Sequence, residues 1–259
     1  MKVALLQYPI EWADIDVNLS LTERRLAAIC GKADVALLPE MFTTGFCTDR
    51  PDLAEDMQGP TMQHLYRWAE QFNLAIAGSF IAAENNNLFN RGFFVMPDHT
   101  AVFADKKHLY AHGGEADFFT AGTERKIIEY KGCRFCLLIC YDLRFPVWSR
   151  NRSGFDYDVL LYSANWPDIR IHYWDALLPA RASENQCFLA AVNRVGNDHL
   201  NLHYNGHSVA YDTHLNPLVQ FADDEQGTKI ADFDLEALRH FRERSPLWRD
   251  GDPFEFVNP

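Results

Sequence analysis

The feature that most constrains this chain is its rhythm. Short apolar runs at 3–6, 35–38, 74–80, 88–95, 102–104, 127–130, 135–139, 159–162, 188–192, 209–211 and 230–233 are interspersed with amphipathic stretches at 17–30, 62–72, 172–184 and 235–244. Runs this short and this apolar read as buried strands, and the longer stretches carry the helical period. Strand–helix alternation predicts an α/β architecture in which helices cover buried sheets. Between residues 74 and 139 several strands follow one another with no helix between them. Parallel neighbours need a long crossover, so mixed sheets are expected. Gly31 is a plausible stop for the first helix and Thr61 a candidate cap for the second. No repeat, low-complexity tract or linker divides the 259 residues, which predicts one domain over 1–259.

Composition narrows the function. Hydrophobic residues make up 47% and charged residues 23%, which excludes disorder as the main state. Twenty-four Lys and Arg against 36 Asp and Glu give a net charge of −12. With no cluster of basic residues to bind phosphates, nucleic acid is not an expected partner. The apolar runs are far too short to span a bilayer, and the N-terminus lacks a signal-peptide core. A cytoplasmic location without membrane contact is therefore expected. Six cysteines in such a setting do not suggest disulfides. Cys133-x-x-Cys136 resembles half a zinc site, but no second ligand pair at suitable spacing completes it, so no metal is expected.

Three runs end in a reactive polar group. Val35-Ala36-Leu37-Leu38-Pro39 leads to Glu40, Ala101-Val102-Phe103-Ala104-Asp105 to Lys106, and Phe135-Cys136-Leu137-Leu138-Ile139 to Cys140. Ligands of α/β sheets sit beyond the carboxyl ends of strands. Three strands ending at one rim would gather a thiol, a carboxylate and an ammonium, the parts needed for acyl transfer. Each residue alone has an ordinary reading: Cys140 a core thiol, Glu40 a helix-start carboxylate, Lys106 a surface charge beside Lys107. For Cys140 the turn expected at Tyr141-Asp142 would expose the sulfur.

These residues resemble a known family. Leu38-Pro39-Glu40-Met41-Phe42-Thr43-Thr44-Gly45-Phe46, Asp105-Lys106-Lys107-His108-Leu109-Tyr110 and Leu138-Ile139-Cys140-Tyr141-Asp142-Leu143-Arg144-Phe145-Pro146 look like the signature blocks of the nitrilase superfamily of carbon–nitrogen hydrolases. Ser163-Ala164-Asn165-Trp166-Pro167, Asn193-Arg194-Val195-Gly196 and Gly206-His207-Ser208 continue the order. The stretch 140–152 looks most like the bacterial omega-amidase branch.

The resemblance implies a four-layer α-β-β-α sandwich with two mixed sheets, usually a homodimer paired through one helical layer. It also implies roles: Cys140 as nucleophile, Glu40 as general base and acid, and Lys106 with the Tyr141 backbone N–H as oxyanion donors. Glu115, seven residues before Gly122, matches the family's second glutamate. No cofactor is implied. The partner is a small-molecule amide, in this branch the terminal amide of a 2-oxo dicarboxylic acid monoamide such as 2-oxoglutaramate. Phe42, Arg144, Asn165 and Trp166 are the candidate substrate contacts, with Arg170 a weaker one, and Phe46, Phe118 and Tyr141 are further aromatic walls. Other superfamily activities, nitrile or carbamoyl-amine hydrolysis, share the thioester route. A catalytically silent binding protein on the same fold is a further alternative. Ten histidines keep a Cys–His pair open as rival chemistry, although His108 and His207 read as structural. Burial of the site would push Lys106 toward neutrality, and a nearby Glu115 would oppose that.

Overall fold

Side chains alternate across a strand, so Val3 and Leu5 leave one face of β1 (Lys2–Gln7) and Ala4 and Leu6 the other. All four are fully buried, which requires a layer on each side. The computed structural model, which describes residues 1–256, supplies both. The first half of the chain runs α1 (Ile15–Ala28), β2 (Val35–Leu37), α2 (Pro60–Phe72), β3 (Ala75–Glu84), β4 (Asn87–Val95), β5 (Ala101–Asp105) and α3 (Glu115–Phe118). There follow β6 (Ile128–Tyr130), β7 (Cys133–Ile139), α4 (Pro146–Ser149), β8 (Val159–Ser163), α5 (Ile171–Asn185) and β9 (Phe188–Val192). The last part holds β10 (Val195–Asn197), β11 (His203–Asn205), β12 (Val209–Tyr211), β13 (Pro217–Gln220), β14 (Gly227–Asp232) and α6 (Leu235–Arg244).

Two six-stranded sheets form, in the orders β14-β1-β2-β3-β4-β5 and β13-β12-β9-β8-β7-β6. Each has a parallel centre (β1–β2–β3 and β7–β8–β9) and antiparallel flanks, so both are mixed. The odd-numbered faces meet: Val3, Leu5, Val35 and Leu37 of one sheet pack with Phe135, Leu137, Val159 and Leu161 of the other. The even face of the first sheet packs on α1 and α2 through Leu19, Leu26, Met62, Leu65 and Trp68. The even face of the second packs on α5 through Trp174, Leu178 and Ala182. The result is the expected four-layer α-β-β-α order. Burying each of these large side chains contributes about 1.5–3 kcal/mol.

One local expectation is corrected. The cap of α2 is Gly59, not Thr61: Pro60 takes the first helical position, where its missing N–H costs nothing. The Thr61 hydroxyl instead donates to Glu55 Oε1 at 2.6 Å. The half zinc site is a pair of core thiols. Residues three apart on a strand face opposite ways, so Cys133 enters the intersheet core and Cys136 the α5 side. They cannot converge on one ion.

Candidate active site

Glu40 follows β2, Lys106 follows β5 and Cys140 follows β7, and the packing of the two sheets brings all three strand ends to one seam. The chain turns sharply at two of them. Met41 and Cys140 have φ of 45° and 43°, the left-handed region that non-glycine residues seldom occupy. Such strain persists where surrounding contacts over-determine it, and it clusters at functional sites. Cys140 opens a short 3₁₀ turn, Cys140–Arg144, whose first N–H groups have no partner within the turn. Tyr141 carries one of these N–H groups directly beside the sulfur-bearing residue.

The charged centre is fully enclosed. Lys106 Nζ donates to Glu40 Oε1 at 2.8 Å and to Glu115 Oε2 and Oε1 at 2.8 and 3.1 Å. All three side chains are shielded from solvent. Asn90 Nδ2 bridges the two carboxylates, at 2.8 Å from Glu40 and 2.9 Å from Glu115. The Tyr110 N–H donates to Glu115 Oε2 at 2.7 Å. From the other sheet, the Asn165 N–H reaches Glu40 Oε2 at 2.8 Å, and Asn165 Nδ2 reaches the Glu40 carbonyl at 2.6 Å. Cys140 Sγ lies 3.7 Å from the Asn165 carbonyl. The sulfur is not exposed by its turn, as the sequence led us to expect; Cys140 is 8% accessible and forms the base of a cavity.

Electrostatics follow from this geometry. Burial by itself favours a neutral amine, yet the charges of Glu115 and Glu40 outweigh it and hold the Lys106 pKa above the ordinary lysine range. Burial pushes Glu115 up, and the Glu40 charge adds to this while the Lys106 ammonium opposes it. The Cys140 thiol is raised well above its usual value, first by burial and then by Glu40, with Lys106 opposing. At rest the sulfur is therefore a thiol that needs a base at the moment of attack.

The cavity over this centre holds about 470 Å³. Lys106, Cys140, Asn165, Trp166 and the ring of Tyr141 line it, with Phe46 and Phe118 as further aromatic walls. Arg144 and Arg170 also line it, with Tyr110 and His112, and the same four residues line a second, adjoining pocket. Neither guanidinium forms an ion pair among the described residues. Arg144 instead lies 4.4 Å over the Tyr173 ring and 5.1 Å over Trp166, and Arg170 lies 5.2 Å over Tyr110. Phe42 is placed elsewhere: it is fully buried against Phe93 in the core beneath α1 and α2 and does not line the cavity. The positive φ at Met41 turns the chain back, so that the Phe42 N–H bonds the Ser79 carbonyl at 3.1 Å.

Sequence reasoning missed Asn90, Trp12, His199 and Tyr204. The first bridges the carboxylates, and the others complete the cavity wall, with Trp12 stacked on His199 at 3.9 Å. Asn90 had a signal, a polar residue interrupting the apolar run 88–95. The histidines set aside as structural are committed elsewhere. His108 Nδ1 pairs with Asp142 Oδ1 at 2.8 Å, and His207 lies between Asp175 and Asp223.

The carbon–nitrogen hydrolase family model matches residues 2–243. An omega-amidase, YafV of Escherichia coli K12, is 43% identical over 98% of each chain. A 2-oxoglutaramate amidase of Bacillus subtilis is 33% identical over 96% of each. The crystal structure of XC1258 from Xanthomonas campestris, a CN-hydrolase superfamily protein with an arsenic adduct in its active site, superposes with a TM-score of 0.96 at 38% identity over 99% of each chain. With its two-sheet seam and a family match spanning nearly its whole length, the chain belongs to the carbon–nitrogen hydrolase family.

Proposed function

We propose that the chain hydrolyses the terminal amide of a short 2-oxo dicarboxylic acid monoamide, of which 2-oxoglutaramate is the type, through a thioester on Cys140. That the chain is a carbon–nitrogen hydrolase acting on amides follows from its family and its amidase relatives. The observation that carries the chemistry is the buried Glu40–Lys106–Glu115 cluster beside the Cys140 sulfur in the lining of a cavity.

In this mechanism Glu40 takes the Cys140 proton as the sulfur attacks the amide carbon. The developing oxyanion is held by the Lys106 ammonium and the Tyr141 N–H, and one such donor contributes roughly 3–4 kcal/mol to lowering the barrier. Glu40 then passes the proton to the amide nitrogen, and ammonia leaves. A water that Glu40 deprotonates attacks the thioester, and the thiolate is reprotonated as the acid departs. Glu115 grips Lys106 through both oxygens and so aims it, while Asn165 holds Glu40 from the opposite sheet.

Arg144 and Arg170 support the acidic substrate. Half-buried guanidiniums resting on aromatic faces, with no carboxylate partner in the described chain, are ready-made receptors for a substrate carboxylate. Asn165 and Trp166 wall the space between them and the sulfur.

The test is ammonia release across small amides, nitriles and carbamoyl amines, with Cys140→Ala and Glu40→Gln alongside. A preference for the 2-oxo acid monoamide and loss of turnover in both variants are expected. Full activity in Cys140→Ala would discard the mechanism. Equal rates on nitriles would discard the substrate class.

No helix of the described residues is long and apolar enough to cross a membrane. Six free cysteines suit a reducing cytoplasm, where we place the protein. We also propose a homodimer paired through the helical layer of α5, supported by exposed Val147 and Leu247 beside that layer. Sedimentation at monomer mass would refute the pairing.

A further inference from the structure

The reactive groups come from two different sheets. Lys106 extends β5 of the first sheet, and Cys140 extends β7 of the second. An oxyanion bonded through its carbon to Cys140 and held by Lys106 therefore needs the sheets registered closely, since a misplacement of about 1 Å can cost roughly a hundredfold in rate. Apolar packing between sheets is not directional. Directional links must set the register.

On the Glu40 side the links are Asn165 to Glu40 and the Ser163 hydroxyl, which donates to the Leu38 carbonyl at 2.8 Å. On the Lys106 side the polar link is His108 with Asp142. His108 stands two residues after Lys106, and Asp142 two after Cys140. Asp142 Oδ1 accepts the His108 N–H at 3.0 Å and faces His108 Nδ1 at 2.8 Å. Its Oδ2 accepts the Ile139 N–H at 3.1 Å, the last residue of β7. The His108 ring lies flat on Phe145, 3.6 Å between centroids with planes 6° apart, and meets Trp148 edge-on. Asp142 is 1% accessible, and neither residue of the pair lines the cavity. The pair clamps the lysine loop to the nucleophile turn without touching substrate.

We infer that His108 and Asp142 are a positioning pair that sets the Lys106 ammonium against the carbonyl oxygen of the Cys140-bound substrate. This rests on the reading of Lys106 as oxyanion donor. The pair acts on the acyl-transfer barrier and not on ground-state binding or on the thiol itself.

Two reactions separate these effects. Amide hydrolysis develops an oxyanion. Alkylation of Cys140 by iodoacetamide forms a sulfur–carbon bond and expels iodide, with no oxyanion to hold. His108→Phe keeps a flat ring against Phe145 and removes the side-chain bond to Asp142. His108→Asn restores an N–H donor near the Nδ1 position. For His108→Phe the expected result is a fall in kcat of about tenfold to a hundredfold, with KM unchanged and the Cys140 alkylation rate, read by peptide mass, falling far less. His108→Asn should recover most of the lost kcat. Wild-type kcat in His108→Phe overturns the inference. So does a parallel fall in hydrolysis and alkylation, or an asparagine variant no better than phenylalanine. If the phenylalanine variant does not fold, Asp142→Asn, which weakens the same bond from its other end, gives the same comparison of hydrolysis with alkylation. Lys106→Gln is assayed beside them. If it retains kcat, the oxyanion reading itself fails; if it loses kcat while His108→Phe does not, only the positioning role fails.

Discussion

Arg144→Met tests the substrate class. Methionine keeps an apolar stem of similar reach, so contact with Tyr173 and Trp166 persists while the charge and its N–H donors go. Arg144 has no ion-pair partner to orphan among the described residues, so the substitution should leave the unfolding temperature near that of the parent. The effect should fall on the substrate carboxylate. A hydrogen bond to a charged group contributes about 1.5–3 kcal/mol, and 1.36 kcal/mol is a tenfold change, so kcat/KM should drop by roughly 10- to 150-fold.

The assay is ammonia release from two substrates sharing one reacting amide: the monoamide of a five-carbon 2-oxo dicarboxylic acid, and pentanamide, which lacks the carboxylate. Only the first should suffer, mainly through KM if the grip is made equally in ground and transition states. Arg170→Met should act in the same direction. If both guanidiniums hold one carboxylate, the double variant should depart from additivity. Equal losses on both substrates, or none on either, would refute the reasoning, because the first would mark Arg144 as structural and the second would place the carboxylate elsewhere.

Two other perturbations probe the frame around the site. In Gly122→Ala the new Cβ would stand 2.0 Å from the Asp105 carbonyl oxygen, on the strand that delivers Lys106, and would strain the Gly122 N–H bond to the Lys106 carbonyl. Overpacking of this kind costs about 1–3 kcal/mol or more, so the unfolding temperature should fall by several degrees, and kcat should fall with the displaced lysine; wild-type values for both would sink the argument. The aspartate pairs of His203 and His207 should make stability pH-dependent. Asp168 and Asp224 raise the pKa of His203, and Asp223 and Asp175 raise that of His207 against the opposing effect of burial. A raised imidazole stabilises fully below its ordinary value of about 6.5 and loses that contribution as pH climbs through the higher folded-state value. Unfolding temperature should therefore decline over that window, and less so in His203→Gln and His207→Gln; parallel curves would refute the coupling.

What the sequence made legible was the set of strand ends. An apolar run terminating in Glu40, Lys106 or Cys140 announces both a buried strand and a group delivered to its carboxyl end, because burial and direction are properties of the run itself. The mixed sheets were legible for a similar reason: consecutive strands with no crossover between 74 and 139 have to be antiparallel somewhere. Elements held by tertiary contact alone were not. β10, β11 and β13 are three or four residues long, too short to show a period, and exist because partners lie beside them. Trp12, His199 and Tyr204 reach the cavity from segments far apart in sequence, and the stack that unites them has no local trace.

Phe42 shows the limit most clearly. Proximity in sequence to Glu40 suggested a pocket wall, but one residue with positive φ at Met41 separates a side chain at the seam from one in the core. The same kind of turn at Cys140 has the opposite consequence, since it holds the sulfur at the base of the cavity. A backbone conformation that costs on the order of 1–3 kcal/mol is therefore kept at both strand ends. The carboxylate and the thiol must leave their strands facing each other across the intersheet gap, and a chain continuing in extended form would carry them past it. If that is why the strain is kept, replacing Met41 by glycine, which adopts this φ freely, should preserve turnover, whereas Met41→Val, β-branched and disfavoured there, should impair turnover by displacing Glu40.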